Sequence, residues 1–140
     1  MASPAVITIL VVDDDAAVLE TVRDGLTSFG YEVLTAEGGD AALQIAAEAQ
    51  HGSIAVLLVD VVMPGLNGPE VAERVHAIHP DTKTLFMSGF SNEIVIVHGI
   101  KQGDPFIIKP FSLETLRRKI QELLEVRPSP FSRPPPAPGG

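Results

Sequence analysis

The sequence predicts an α/β protein, a doubly wound parallel sheet of five strands with helices on both faces. Three observations lead there. Short, wholly apolar runs recur along the chain, as expected of strands buried on both sides. Segments with the 3.6-residue apolar period of amphipathic helices separate them. Several runs stop abruptly on a charged or hydroxyl residue, as strands do where a sheet edge faces a cleft.

The elements follow in order. Residues 6–12 read as a buried strand closed by Asp13-Asp14-Asp15. Val18, Leu19, Val22, Leu26 and Phe29 then form one apolar helix face, and Gly30 stops that helix as a left-handed cap. Residues 31–35 make a short second strand, and Asp40 is expected to cap an Ala-rich second helix ending near Gln50. Residues 54–59 form the third strand, which ends on Asp60 ahead of a Pro64-Gly65 turn. Gly68 and Pro69 suit the N-cap and first position of a third helix, whose buried stripe is Val71, Ala72, Val75 and Ile78. His79-Pro80 ends it.

Residues 84–87 give a fourth strand ending at Ser88-Gly89, and 105–108 a fifth ending at Lys109-Pro110. Ser112 caps a last helix with Leu113, Leu116, Ile120, Leu123 and Leu124 inward, and with Glu114–Arg118 and Arg118–Glu122 as exposed pairs. Between the fourth and fifth strands, Ile94-Val95-Ile96-Val97 is a β-branched run that favours a strand. The alternation on either side asks for a crossover helix over 91–102, and helix is the reading adopted. Five such units suit the strand order 2-1-3-4-5 of flavodoxin-like sheets.

Composition bounds the function. A chain of 140 residues, 45% hydrophobic and 20% charged, suits one folded domain. That domain is placed at residues 1–126. Six of the 12 prolines fall in 128–138, so residues 127–140 read as a Pro/Gly-rich linker or disordered tail. The absence of cysteine excludes disulfides, thiol catalysis and Cys-ligated zinc. A net charge of -8 argues against nucleic-acid binding by this domain, which would need a basic surface. No apolar run approaches the ~18 residues of a membrane span, and no basic-then-apolar leader stands at the N-terminus, so a cytoplasmic location is expected.

The strand ends carry the chemistry. In a sheet of this kind ligands bind outside the carboxyl ends of the strands, where strand order reverses. Asp13 and Asp14, Asp60, Ser88 and Lys109 all fall there. Each has an ordinary reading: Asp60 and Ser88 as turn residues, Lys109 as a surface lysine, and one acid of Asp13-Asp14-Asp15 as a helix cap. Asp15 is given to that cap or to solvent. Together, the carboxylates would repel unless something positive joined them, and a hard divalent cation with oxygen ligands is the natural occupant. His76 and His79, three residues apart, lack a third ligand and read as surface histidines.

Four segments then define a resemblance. Val11-Val12-Asp13-Asp14-Asp15, Asp60-Val61-Val62-Met63-Pro64-Gly65-Leu66-Asn67-Gly68, Met87-Ser88-Gly89-Phe90 and Lys109-Pro110-Phe111 resemble, in order and spacing, the signatures of response-regulator receiver domains of two-component signalling. The match covers about residues 5–126. The Ser88-Gly89-Phe90 and 106–111 segments look more like receivers attached to hybrid histidine kinases than like those of transcription factors. The resemblance implies a phosphoacceptor signalling domain, rather than an enzyme proper, that assists its own aspartyl phosphorylation and dephosphorylation. Asp60 would accept a phosphoryl group from a histidine kinase or histidine phosphotransfer protein. Asp13, Asp14, Asp60 and the backbone carbonyl of Val62 would hold Mg²⁺. Lys109 and Ser88 would contact the phosphoryl oxygens, and Phe106 would change rotamer as the Ser88 loop moves. The bond before Pro110 would be cis. The output would be a face made by the fourth helix, fifth strand and last helix, a face that two copies of the chain can share. Val62 and Phe90 would shield the phosphoryl group from water.

Other classes fit the sequence less well. A Mg²⁺-dependent phosphatase with an aspartyl nucleophile shares the sheet, but Asp13-Asp14-Asp15-Ala16-Ala17 departs from the pattern such enzymes carry after the first strand. A receiver-like binding module that is never phosphorylated would not need all five site residues.

Overall fold

A computed structural model of the chain describes residues 6–50, 52–89 and 105–125. Their strands are β1 (Thr8–Val12), β2 (Glu32–Ala36), β3 (Val56–Asp60), β4 (Lys83–Ser88) and β5 (Phe106–Ile108). The helices are α1 (Ala16–Ser28), α2 (Gly39–Glu48), α3 (Gly68–Ile78) and α4 (Leu113–Glu125). All strand pairings are parallel, in the order β2-β1-β3-β4-β5. The expected order is therefore borne out, with strand ends within two residues of those read from the sequence. The helix expected over 91–102 and the tail at 127–140 lie outside the described residues.

Both faces of the sheet are covered because both faces of its strands are apolar. Along β1, Leu10 and Val12 face a core closed by Ala42 and Ala46 of α2 and Val71 and Val75 of α3. Ile9 and Val11 face a second core closed by Leu19, Val22 and Leu26 of α1 and Leu116 and Ile120 of α4. In β3, Leu57 and Val59 point to the first core, Val56 and Leu58 to the second. Burying a leucine or valine side chain stabilises the fold by about 1.5–3 kcal/mol, so the central strands fix the architecture.

The helix ends mix agreement with correction. Asp15 caps α1, its Oδ1 accepting from the amides of Ala17 (2.9 Å) and Val18 (3.4 Å), and Gly30 follows the C-cap with φ +98°. Ser112 caps α4 by accepting from the Thr115 amide at 3.0 Å. Asp40, however, is not the cap of α2. Gly38 takes that place and Asp40 lies in the first turn, where its charge still favours the helix dipole. The helix starts at Gly39, which packs so closely on Leu66 that an added Cβ would come within 2.8 Å of it.

Nor does Gly68 cap α3. Asn67 does, because a cap needs a side-chain acceptor: its Oδ1 accepts from the Glu70 amide and Glu70 Oε1 accepts from the Asn67 amide, each at 2.9 Å. On α4, Glu114 pairs with Arg117 at 3.8 Å rather than with Arg118, an i,i+3 contact that also leaves Arg117 over the Phe29 ring.

Candidate functional site

The site follows from the sheet order. The chain steps from β1 outward to β2, then returns to the other side of β1 with β3, so β1 and β3 are neighbours whose crossovers leave in opposite directions. Val12 is in register with Val59. Asp13 and Asp60, the next residues, therefore stand side by side at the carboxyl edge. Asp13 is fully buried and Asp60 is 7% exposed, whereas Asp14 is exposed. One carboxylate oxygen from each of Asp13, Asp14 and Asp60 lies within 4.8 Å of the others.

Lys109 arrives from the far edge. Ser88 is in register with Ile108, and the Lys109 amide donates to the Ser88 carbonyl at 2.7 Å, so the lysine leaves the sheet directly beyond Ser88. Its Nζ donates to Asp13 Oδ2 at 2.7 Å and to Asp60 Oδ2 at 3.3 Å. The Lys109–Pro110 peptide is cis, as the resemblance implies. Ser88 is buried at the end of β4, one residue beyond Met87, the register partner of Asp60. Phe106 opens β5, half-buried and in register with Phe86. Val62 is half-buried beside Asp60 and Phe90 lies outside the described residues.

Electrostatics follow from this burial. Loss of water pushes the Asp60 carboxyl up to about 6, and the Asp13 charge adds to the rise. The Lys109 charge and hydrogen bond, with the Val62 amide, pull the other way. For Lys109, burial opposes the charged form, but the hydrogen bond to Asp13 and the charges of Asp60 and Asp13 outweigh it and raise the ammonium above its usual range. Asp13 Oδ1 accepts from the Asp15 amide at 2.9 Å, so each of its oxygens has a donor. The donor set is oxygen only and carries three carboxylates against one ammonium, which fits a hard divalent cation.

Two residues depart from the sequence reading. His79 is not a surface histidine: it is fully buried, its Nε2 donating to the Ala46 carbonyl at 2.8 Å while Nδ1 accepts from the Gly52 amide at 3.1 Å. The two contacts fix the tautomer and tie the C-terminal end of α2 to that of α3, because His79 closes α3 facing inward. His76 is exposed, as read, and its Nε2 contacts the Thr82 carbonyl at 2.7 Å. Gly68 was read only as a cap; the structure instead seats it against the backbone of Asp60, where an added Cβ would meet the Asp60 carbonyl oxygen at 2.5 Å. Its place in the Asp60-to-Gly68 signature was the signal available.

Residues 9–121 match the model of the response regulator receiver domain. The chain belongs to that family. It is 36% identical over 121 residues to sensor kinase CckA of Brucella abortus, spanning 84% of this chain and 12% of that protein. It is also 36% identical over 129 residues to response regulator MprA of Mycobacterium sp. (strain KMS), spanning 91% of this chain and 54% of that one. The chain thus spans about an eighth of the sensor kinase and about half of the response regulator.

Among solved structures, chemotaxis protein CheY4 of Vibrio cholerae superposes with a TM-score of 0.75 at 31% identity, covering 86% of this chain and all of that one. The receiver domain of hybrid histidine kinase CckA gives 0.72 at 33% identity, covering 84% and 99%. The chain is a receiver domain of two-component signalling. Among the described residues no helix is long and apolar enough to cross a membrane.

Proposed function

We propose that Asp60 accepts a phosphoryl group from a histidine kinase or a histidine phosphotransfer protein, and that this acceptance switches the domain. One observation carries the reading: Asp60 stands among the oxygens of Asp13 and Asp14 with the Lys109 ammonium bonded to both buried acids. A carboxyl near 6 is mostly ionised at neutral pH and so remains a nucleophile. Its oxygen attacks phosphorus in line, the phosphorus–nitrogen bond of the donor breaks, and the departing imidazole keeps that electron pair.

The chain's own residues position and neutralise. Asp13, Asp14, Asp60 and the Val62 carbonyl would hold Mg²⁺, which when bound offsets negative charge on the phosphoryl oxygens. Lys109 moves its donor from Asp60 to a phosphoryl oxygen while keeping its shorter bond to Asp13. The Ser88 hydroxyl donates to another oxygen, drawing its loop inward, and Phe106 follows into the space released. Because the Lys109 amide is bonded to the Ser88 carbonyl, the two responses move together. The output is then a shift of the face that includes β5 and α4, through which two copies can pair. The location is cytoplasmic.

The test is transfer from purified histidine kinases of the source organism. Phosphoryl transfer that needs a divalent cation and disappears in Asp60→Asn is expected; transfer to the variant at the wild-type rate would refute the assignment.

A further inference from the structure

We infer that Gly68 is a positioning residue for phosphoryl acceptance: its missing side chain sets where the Asp60 carboxylate stands. The inference rests on Asp60 being the acceptor. A Cβ on Gly68 would lie 2.5 Å from the Asp60 carbonyl oxygen, 2.9 Å from Val61 Cα and 3.1 Å from the Asp60 carbonyl carbon. All three are backbone atoms, so no rotamer change relieves the overlap. Glycine is not needed there for its conformation, since the positive-φ glycines of the described chain are Gly30, Gly52 and Gly65. Close approach is the remaining reason.

Contrast Gly25, where the three atoms nearest an added Cβ all belong to the Leu113 side chain, the closest at 2.6 Å, on the α1–α4 side of the molecule. The Gly68 seat cannot retreat. Its amide donates to the Val61 carbonyl at 2.8 Å, and the reciprocal Asn67–Glu70 bonds fix the start of α3. From the other side the Val61 amide donates to the Met87 carbonyl at 2.9 Å. The peptide that follows Asp60 is thus clamped between β4 and the first turn of α3. An atom added at 68 displaces that peptide, and with it the acceptor oxygen relative to Asp13 and Lys109. Misplacing reacting groups by about 1 Å costs up to about 10²-fold in rate.

The experiment compares the full chain with its Gly68→Ala and Gly25→Ala variants, using a small acyl phosphate as donor and saturating Mg²⁺. Melting temperature is recorded for each. Expected for Gly68→Ala is a fall of about 10- to 100-fold in the labelling rate at saturating donor, with half-saturation by donor unchanged. Gly25→Ala should stay within about twofold of wild type even where it melts as low. Wild-type labelling together with a Gly68→Ala rate within about threefold, or an equal loss in Gly25→Ala, overturns the inference alone. An unlabelled wild type overturns the acceptor reading and the inference with it. Should Gly68→Ala not fold, Asn67→Ala loosens the same seat without adding an atom. A drop of roughly threefold or more then supports the inference, and an unchanged rate overturns it.

Discussion

Two buried acids side by side work against the fold, and the pH dependence of that cost can be stated for Asp60. Its carboxyl titrates at about 6 when folded and near 3.8 otherwise. Between those values the native chain holds a proton that the unfolded chain releases, so stability rises as pH falls through about 6 and levels off below about 4. Above about 6 the buried charge is a penalty. Asp60→Asn without divalent cation should therefore be more stable than wild type at pH 8, by roughly 2–3 kcal/mol, with the advantage vanishing near pH 4. Urea titrations at both pH values check this, and an advantage that grows toward low pH would contradict it. Lys109 acts in the opposite sense. Lys109→Ala strips the fully buried Asp13 of the ammonium 2.7 Å away. The expected loss is about 3–5 kcal/mol at neutral pH in cation-free buffer, most of it the cost of an uncompensated buried charge. A loss below about 1 kcal/mol would show that solvent reaches Asp13 freely.

At the scale of elements, what could be read from the sequence divides by physical cause. Apolar runs such as 56–59 are legible as doubly covered strands because they are short, β-branched or leucine, and bounded by turn residues. The amphipathic stripes of α1, α3 and α4 were equally plain. Caps were less so, because a cap depends on which side chain reaches an amide after the helix has packed. Asp15 and Ser112 reach one, whereas Asp40 falls inside the first turn of α2 and Gly68 has no side chain to accept. A close approach such as that of Gly39 to Leu66 joins residues far apart in the chain, beyond the range of any local pattern. His79 is the same case, since its partners at Ala46 and Gly52 come from another element. Asp15→Ala separates cap from ligand: stability should fall by about 1 kcal/mol with Asp60 phosphorylation unchanged. Loss of phosphorylation at intact stability would instead make Asp15 part of the site.

For the whole molecule, the site was legible because the topology does the assembling. Asp13, Asp60, Ser88 and Lys109 are scattered over 97 positions of sequence, yet a parallel sheet of this order delivers every strand end to one edge. Their identities, read as strand terminators, sufficed. The lysine's detailed allegiance did not follow from pattern: Lys109 holds Asp13 more closely than Asp60. Under the proposed acceptance, a lysine bonded at 2.7 Å to Asp13 and at 3.3 Å to Asp60 would give up the second contact to an arriving phosphoryl group. The most direct test is to incubate the full chain with a small acyl phosphate and Mg²⁺ and locate the added phosphoryl by mass spectrometry. One phosphoryl group on Asp60, absent without divalent cation and absent in Asp60→Asn, is the predicted result. A phosphoryl group on any other residue, or equal labelling of Asp60→Asn, would contradict the account.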